Sequence, residues 1–320
     1  DYFETVLYTG TGSTQSITSL DFQPDWVWGK TRNDTQDHQI IDSVRGATKL
    51  LATNGTAAEF TDTNNLTSFN SNGFTVGSSG GINGSSDTLV TWCWKAGTSV
   101  SGNTGGSGTA KSYSGSVNTD AGFSITSFTG NGTIGHTIPH SLNAIPSMFI
   151  IKKYGGSGDS TARDWDVYHQ SLGNTKVIFL NTTAANSTSS EYWNDTTPTS
   201  SVITLGANDQ INGNNNTYIC YAFSEKKGYS KFGSYVGNGN ADGTFVYTGQ
   251  KSAFIMVKST GGESNWQMSD NKRNTFNEVN KHLRANSSGA EFTNYPIDFL
   301  SNGFKLRATD TDTNGSGTTY

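Results

Sequence analysis

The segment Asp310-Thr311-Asp312-Thr313-Asn314-Gly315 comes nearest to a metal site of any in this chain. Its alternating oxygen-bearing side chains and its glycine match the first half of a calcium loop of EF-hand type, with Asp310, Asp312 and Asn314 as ligands. Such a loop also needs a bidentate carboxylate at its twelfth position, which falls past Tyr320. The corresponding segments Ser79–Gly84 and Asn208–Gly213 keep the Asn-Gly and lack the aspartates. A hairpin turn therefore explains what recurs better than calcium does, and no cofactor is expected.

The histidines are His38, His136, His140, His169 and His282, and only His136 and His140 lie close together. They are spaced to hold a metal across a hairpin, but no carboxylate or cysteine accompanies them, and Pro139 with its Thr and Ser neighbours reads as an exposed loop. Asp164 and Asp166 flank Trp165 and share a face if the segment is a strand, the arrangement that glycoside hydrolysis would need. The other copies hold Gln36 to Gln39 and Asn265 to Gln267 at that place, so Trp165 and Trp266 read as equivalent core residues with solvated neighbours. Glu59, Glu191 and Glu291 recur at one repeat position; they are expected to accept turn hydrogen bonds or to pair with Lys30, Lys152 and Lys258. Serines are too frequent for a Ser-His pair to carry information. No catalytic site is expected.

The elements that would position these residues are strands. Charged residues make up 15% of the chain and aromatics 12%, with 38 glycines. Thr, Val, Ile, Tyr, Phe and Trp suit a pleated, half-buried surface, and Gly and Asn suit tight turns. The net charge of -5 is spread thinly, with no basic stripe for nucleic acid, and no apolar run is long enough for a membrane helix. With Cys93 and Cys220 as the only cysteines, there is no disulfide framework.

Self-similarity organises the rest. The turn Tyr8-Thr9-Gly10-Thr11-Gly12 returns as Phe128-Thr129-Gly130-Asn131-Gly132 and Tyr235-Val236-Gly237-Asn238-Gly239. An apolar run closed by lysine follows each, at Trp26 to Lys30, Met148 to Lys152 and Phe254 to Lys258, and reads as a buried strand. The order continues through Thr48 to Asn54, Thr175 to Asn181 and Asn280 to Asn286, then through an Asn-Gly pair at Asn83, Asn212 and Asn314. Leu89 to Trp94 answers Tyr218 to Phe223 as a last strand. This spacing predicts an all-β fold of three tandem antiparallel β-sandwich repeats of jelly-roll or lectin-like type, each burying a face of its own. The repeats span 1–96, 113–228 and 229–320, with 97–112 as a flexible Gly/Ser-rich linker. One short helix is predicted between Phe276 and Leu283. Tyr320 falls where the last strand begins, so the third repeat is incomplete at that strand. The expectation is that the protein continues or that a neighbouring subunit completes the sheet.

The repeated turn, Ser43 to Lys49, Phe69 to Phe74 and Gly228 to Tyr235 together resemble a repeated domain of no assigned activity seen in predicted virion proteins of marine bacteriophages. The resemblance spans essentially the whole chain and carries no catalytic or binding residues to transfer. It implies a protein of the virion surface, extracellular in setting: a tail fibre, an adhesin or a capsid decoration. Such a protein acts by assembly as a homo-oligomer or onto other virion proteins, and by binding a host-surface glycan with loop aromatics and amides. A glycan-degrading tail spike and a surface-layer or filament subunit assembled by strand exchange are the alternatives.

Overall fold

The first two apolar runs closed by lysine lie inside their sheets, and both of their faces are covered. In the computed structural model, which describes residues 1–156 and 162–320, Trp26–Thr31 is wholly buried, as is the first two thirds of Met148–Gly156. In the first copy the antiparallel order is Phe3–Thr9, Thr88–Trp94, Trp26–Thr31, Gln39–Asp42. The second copy repeats it as Phe123–Thr129, Asn216–Phe223, Met148–Gly156, Trp165–His169, within an eight-stranded sheet. In the third, Phe254–Val257 and Gln267–Asp270 keep the pairing of the last two strands, at the end of a six-stranded sheet. The fold is all-β, with four-residue helices as its only helical turns among the described residues.

Side chains on a strand alternate between faces, and here each face has a different destination. Val27 and Cys93 point into a core private to the first copy, together with Ile17, Leu66, Phe74 and Val76 from the smaller sheet packed over it. Phe149, Ile151, Ile203 and Leu205 do the same in the second copy, and Val279, Ile297, Phe299 and Phe304 in the third. The intervening residues Trp26, Trp28, Trp92, Met148, Ile150, Tyr221, Trp266 and Met268 meet in one central core that all three copies share. Trp26 of the first copy stacks on Tyr221 of the second at 4.5 Å between ring centres. The expectation that each repeat buries its own face is thus half of the arrangement: the second face of each copy is buried only against the other two.

A ring of equivalent hydrogen bonds closes the three seams. His38, Trp165 and Trp266 occupy the same repeat position, as do the carbonyls of Ala52, Phe179 and Arg284. Trp165 Nε1 donates to the Ala52 carbonyl and Trp266 Nε1 to that of Phe179, each at 2.9 Å. The His38 ring meets the Arg284 carbonyl through Nε2, also at 2.9 Å, while its Nδ1 accepts from Trp28 Nε1, so Nε2 carries the proton. The second copy hangs on the first, the third on the second, and the first on the third.

Two sequence readings are corrected by pairing. The segment expected as a flexible linker forms the strand Thr98–Asn103, hydrogen-bonded along its length to Ser112–Asn118, and Gly105–Gly106 pairs with His136–Pro139. Gly and Ser leave no side-chain pattern to read, yet their backbones satisfy a sheet edge as well as any residue's. The helix expected between Phe276 and Leu283 is the strand Val279–Arg284, since ladders on both sides outweigh local preference.

The two most persistent signatures touch each other. Asn83, Asn212 and Asn314 are fully buried. Each side chain accepts the N–H of the fourth turn residue, Thr11, Asn131 or Asn238, and donates to two carbonyls. The turn glycines Gly10, Gly130 and Gly237 lie so close that a Cβ would come within 2.1, 2.5 and 2.4 Å of the carbonyls of Gly84, Gly213 and Gly315. The Asn-Gly pair is therefore a peg and its seat, not the hairpin turn expected. Asn83 and Asn212 end the short helices Gly80–Asn83 and Asp209–Asn212, and the glycines after them have ordinary φ values of −56° and −57°.

Because Asn212 is fully buried and bonds its partners directly, Asn212→Ala leaves buried groups unpaired and lowers the unfolding free energy by about 3 kcal/mol in urea titration. Asn208→Ala, which removes only the cap bond to the Gln210 N–H, costs about 1 kcal/mol. Equal losses at the two positions would overturn the peg.

Candidate functional site

Each residue group singled out in the sequence has a definite place. Asp310 accepts from the N–H and hydroxyl of Thr313, Asp312 takes Asn265, Gln267 and Arg284, and Asn314 is one of the three pegs. Their oxygens point to separate protein partners and do not converge as calcium ligands would. Asp310 closes the local turn and Asn314 seats the third peg.

His136 and His140 are buried rather than on an exposed loop. His136 bridges Asn212 Oδ1 and Thr104 Oγ1, and His140 joins the Leu142 N–H to the Thr199 carbonyl. Burial pushes His140 down to about 4 and lowers His136 as well. With both ring nitrogens of each taken, neither is offered to a metal. Trp165 and Trp266 are the equivalent core residues expected, but the neighbour Asp166 is not solvated. Its carboxyl has no exposed surface and, among the described residues, neither oxygen has a hydrogen-bond partner. Burial, and then the charge of Asp164, raise its pKa well above the usual carboxylate range. A group sealed in this way cannot meet a glycosidic bond. Asp164 is held instead by Asn181 Nδ2 at 2.7 Å.

Two of the three recurring glutamates, Glu59 and Glu291, pair with arginines and not with the lysines expected. Glu291 binds Arg32 through two bonds of 2.9 Å and also meets Arg273, while Glu59 meets Arg45. Arg45 and Arg273 are in turn clasped by Asp42 and Asp270 at 2.6 Å. Arginine wins because its fork can serve two carboxylates in a plane, which an ammonium cannot. Glu191 opens the helix Ser190–Trp193, where its N–H is capped by Ser189.

The three lysines are buried in the seams. Lys152 Nζ donates to the carbonyls of Thr56 and Arg163, Lys258 Nζ to those of Thr183 and Ser264, and Lys30 Nζ to those of Thr31 and Asp34. Burial outweighs the nearby aspartates and lowers each to about 8.

What the fold does not require is found on the third copy. From Arg45 to Thr48 the first copy takes three steps, whereas the equivalent path from Arg273 to Asn280 takes seven. The clasps Asp42–Arg45 and Asp270–Arg273 fix the same starting point in both, so the extra residues form a loop of their own. Asn277 pins that loop by exchanging two bonds with the Phe299 backbone, and Asn274 accepts the N–H groups of Asn280 and Lys281. Between them Phe276 is 84% exposed. It borders a cavity of about 280 Å³ with Lys251, Asn271, Asn274, Asn277 and Phe299, and no carboxylate lines it. An outward aromatic face beside amides and an ammonium can stack on the apolar face of a sugar ring and bond its hydroxyls. The sequence left this site unnamed, although the unequal spacing between copies was the signal that marks it.

A family model described as a domain of unknown function, DUF7483, matches residues 1–320. No curated protein and no solved structure matches the chain.

The buried lysines set a pH dependence whose sign follows from their lowered folded pKa. Between about 8 and the unfolded value near 10.5 the unfolded chain holds protons that the folded chain has shed, so stability rises with pH. Cys93, pushed up to about 12 by burial, and Cys220, pushed higher, act in the opposite sense once unfolded thiols ionise. Tm is expected to climb from pH 7.5 to about 9 and to flatten above it. Lys152→Met should reduce that slope by roughly one third whatever it does to Tm itself; an unchanged slope would refute the assignment.

Proposed function

The chain belongs to the DUF7483 family, a domain of unknown function, and we propose that it is a non-enzymatic surface module of a phage particle, part of a tail fibre, adhesin or capsid decoration. It assembles with copies of itself or with other virion proteins and holds a host-surface glycan at the Phe276 loop. The virion setting follows from the resemblance of its repeat signatures. The binding role is carried by one observation: Phe276, 84% exposed, stands on an insertion that the corresponding turn of the first copy does without. Large aromatics are placed in water where they have something to cover. Two further features support the reading. The central core locks the copies into one body, so an outward loop is held in a fixed direction. Of the sequence-derived acid pair, Asp166 is also sealed from solvent.

Binding of the intact chain to a glycan array, or to bacterial surface polysaccharide by calorimetry, tests this. Phe276→Ala is expected to weaken binding at least tenfold, with Tm unchanged and no reducing ends released from the glycan. Retained affinity in the variant would remove the loop from the account, and glycan cleavage by the wild-type chain would replace adhesion with degradation.

A further inference from the structure

We propose that the outer edge of the strand Phe245–Tyr247 is where the self-assembly named above takes place, a reading on which this proposal rests, and that its occupant is the same strand of a second molecule, paired antiparallel about a two-fold axis at Val246. Comparison of the three repeats singles this edge out. Ile17, Ile138 and Val246 hold one repeat position, since they pair with the equivalent residues Phe74, Ile203 and Phe304. Each packs on the private core of its own repeat. The residues on either side of them face outward: Ser16 and Thr18 in the first repeat, Thr137 and Pro139 in the second, Phe245 and Tyr247 in the third. Val236 joins the last two. It stands where the first two repeats have Thr9 and Thr129, and its carbonyl accepts from the hydroxyl of Thr244 at 2.8 Å. Val236, Phe245 and Tyr247 are 55%, 44% and 66% exposed, three of the eight large apolar side chains exposed among the described residues. Ser16 and Thr18 are exposed too, so the fold turns these positions to water and only the third repeat fills them with apolar groups.

The backbone of that edge is open as well. The Thr244 carbonyl accepts from the Leu306 N–H, and the Thr248 N–H donates to the Asn302 carbonyl. Inward and outward groups alternate along a strand, so Phe245 and Tyr247 turn their N–H and C=O groups away from Gly303–Leu306. Phe245–Tyr247 ends its six-stranded sheet, and no described residue pairs with its outer side. The second repeat shows what this edge accepts. There His136–Pro139 carries Gly105–Gly106 antiparallel on the same side, with Gly105 opposite Thr137, the residue equivalent to Phe245. Pro139, at the position of Tyr247, has no N–H to offer, which a strand tolerates where that N–H would face off the ladder.

A strand reading Phe-Val-Tyr is close to its own complement. Paired about Val246, Phe245 of each molecule lies opposite Tyr247 of the other, which gives two aromatic cross-strand pairs on one face and bonds both free edges at once. The neighbouring charges do not oppose it. Lys305, which lies opposite Phe245, is paired with Asp242 at 2.6 Å, and Arg307 with Asp298 at 2.6 Å. A second molecule therefore meets balanced charge and not a field of one sign. Three residues are short for a permanent dimer, so the contact is expected to be weak in dilute solution and to close where molecules are held side by side.

Sedimentation velocity of the intact chain at concentrations rising to about 1 mM, together with amide exchange at Phe245 and Tyr247, tests this. Dimer is expected to form as concentration rises, with exchange at those two amides slowed at least tenfold. Phe245→Ser with Tyr247→Thr installs the residues of the first repeat, and Tyr247→Pro installs that of the second, so both variants carry residues that this fold already holds at these positions. Each is expected to weaken dimerisation at least tenfold, with Tm unchanged in dilute solution; if a variant fails to fold, exchange in the unaltered chain still decides. A chain that stays monomeric throughout would overturn the edge together with assembly from identical molecules. Association that both variants leave unchanged would overturn the edge alone. Slowed exchange at Phe245 and Tyr247 that follows added bacterial surface oligosaccharide, and not protein concentration, would overturn the second molecule as occupant and make the two rings a sugar platform. None of these results bears on Phe276, so glycan binding there stands or falls separately.

Discussion

The fold depends on the burial of a second face that no copy can bury by itself. Trp26, Trp92, Trp165 and Tyr221 turn inward from strands whose other faces already serve private cores, and an exposed sheet face of that size and aromaticity would not survive in water. Three copies meeting around one axis solve this, and the indole and imidazole donors at the seams set how they meet. A donor buried without an acceptor costs about 1–3 kcal/mol, so each seam is satisfied in one register and penalised in others.

The same economy of water explains the polar interior. Lys30, Lys152 and Lys258 are buried where their ammonium groups find backbone carbonyls, and Asp42–Arg45 and Asp270–Arg273 are closed pairs with almost no exposed surface. Such groups contribute specificity of arrangement more than net stability, since burying a charge is costly even when it is paired. Asp166 is the exception. The equivalent residues are Gln39, bonded to Asn65 and Asp37, and Gln267, bonded to Asp312. With no such partner among the described residues, burial raises the pKa of the Asp166 carboxyl well above the usual carboxylate range.

Repetition and function are separated in this chain by the kind of residue that recurs. The pegs Asn83, Asn212 and Asn314, the turn glycines and the buried lysines recur because the backbone approaches itself in the same way three times. A copy that changed them would leave a buried group unpaired or a Cβ inside a carbonyl. Freedom begins where the copies differ, at the inserted loop of Phe276 on the third copy.

The sequence by itself determined the all-β class, the burial of the first two lysine-closed runs, and the equivalence of Trp165 with Trp266. Each of these is carried by composition, by local period or by comparison of one copy with another. Only the tertiary structure decided that the copies share a core, that 97–112 joins a sheet, that Glu59 and Glu291 choose arginines, and that His136, His140 and Asp166 are buried. The reason is that pairing and burial are properties of partners far apart in the chain. A glycine in a strand looks like a glycine in a linker until its neighbour is known, and a carboxylate reads as solvated until something covers it. For the candidate site the division is the same: the unequal spacing that creates the Phe276 loop is written in the sequence, but its exposure and its neighbours Lys251 and Phe299 are set by how distant strands come together.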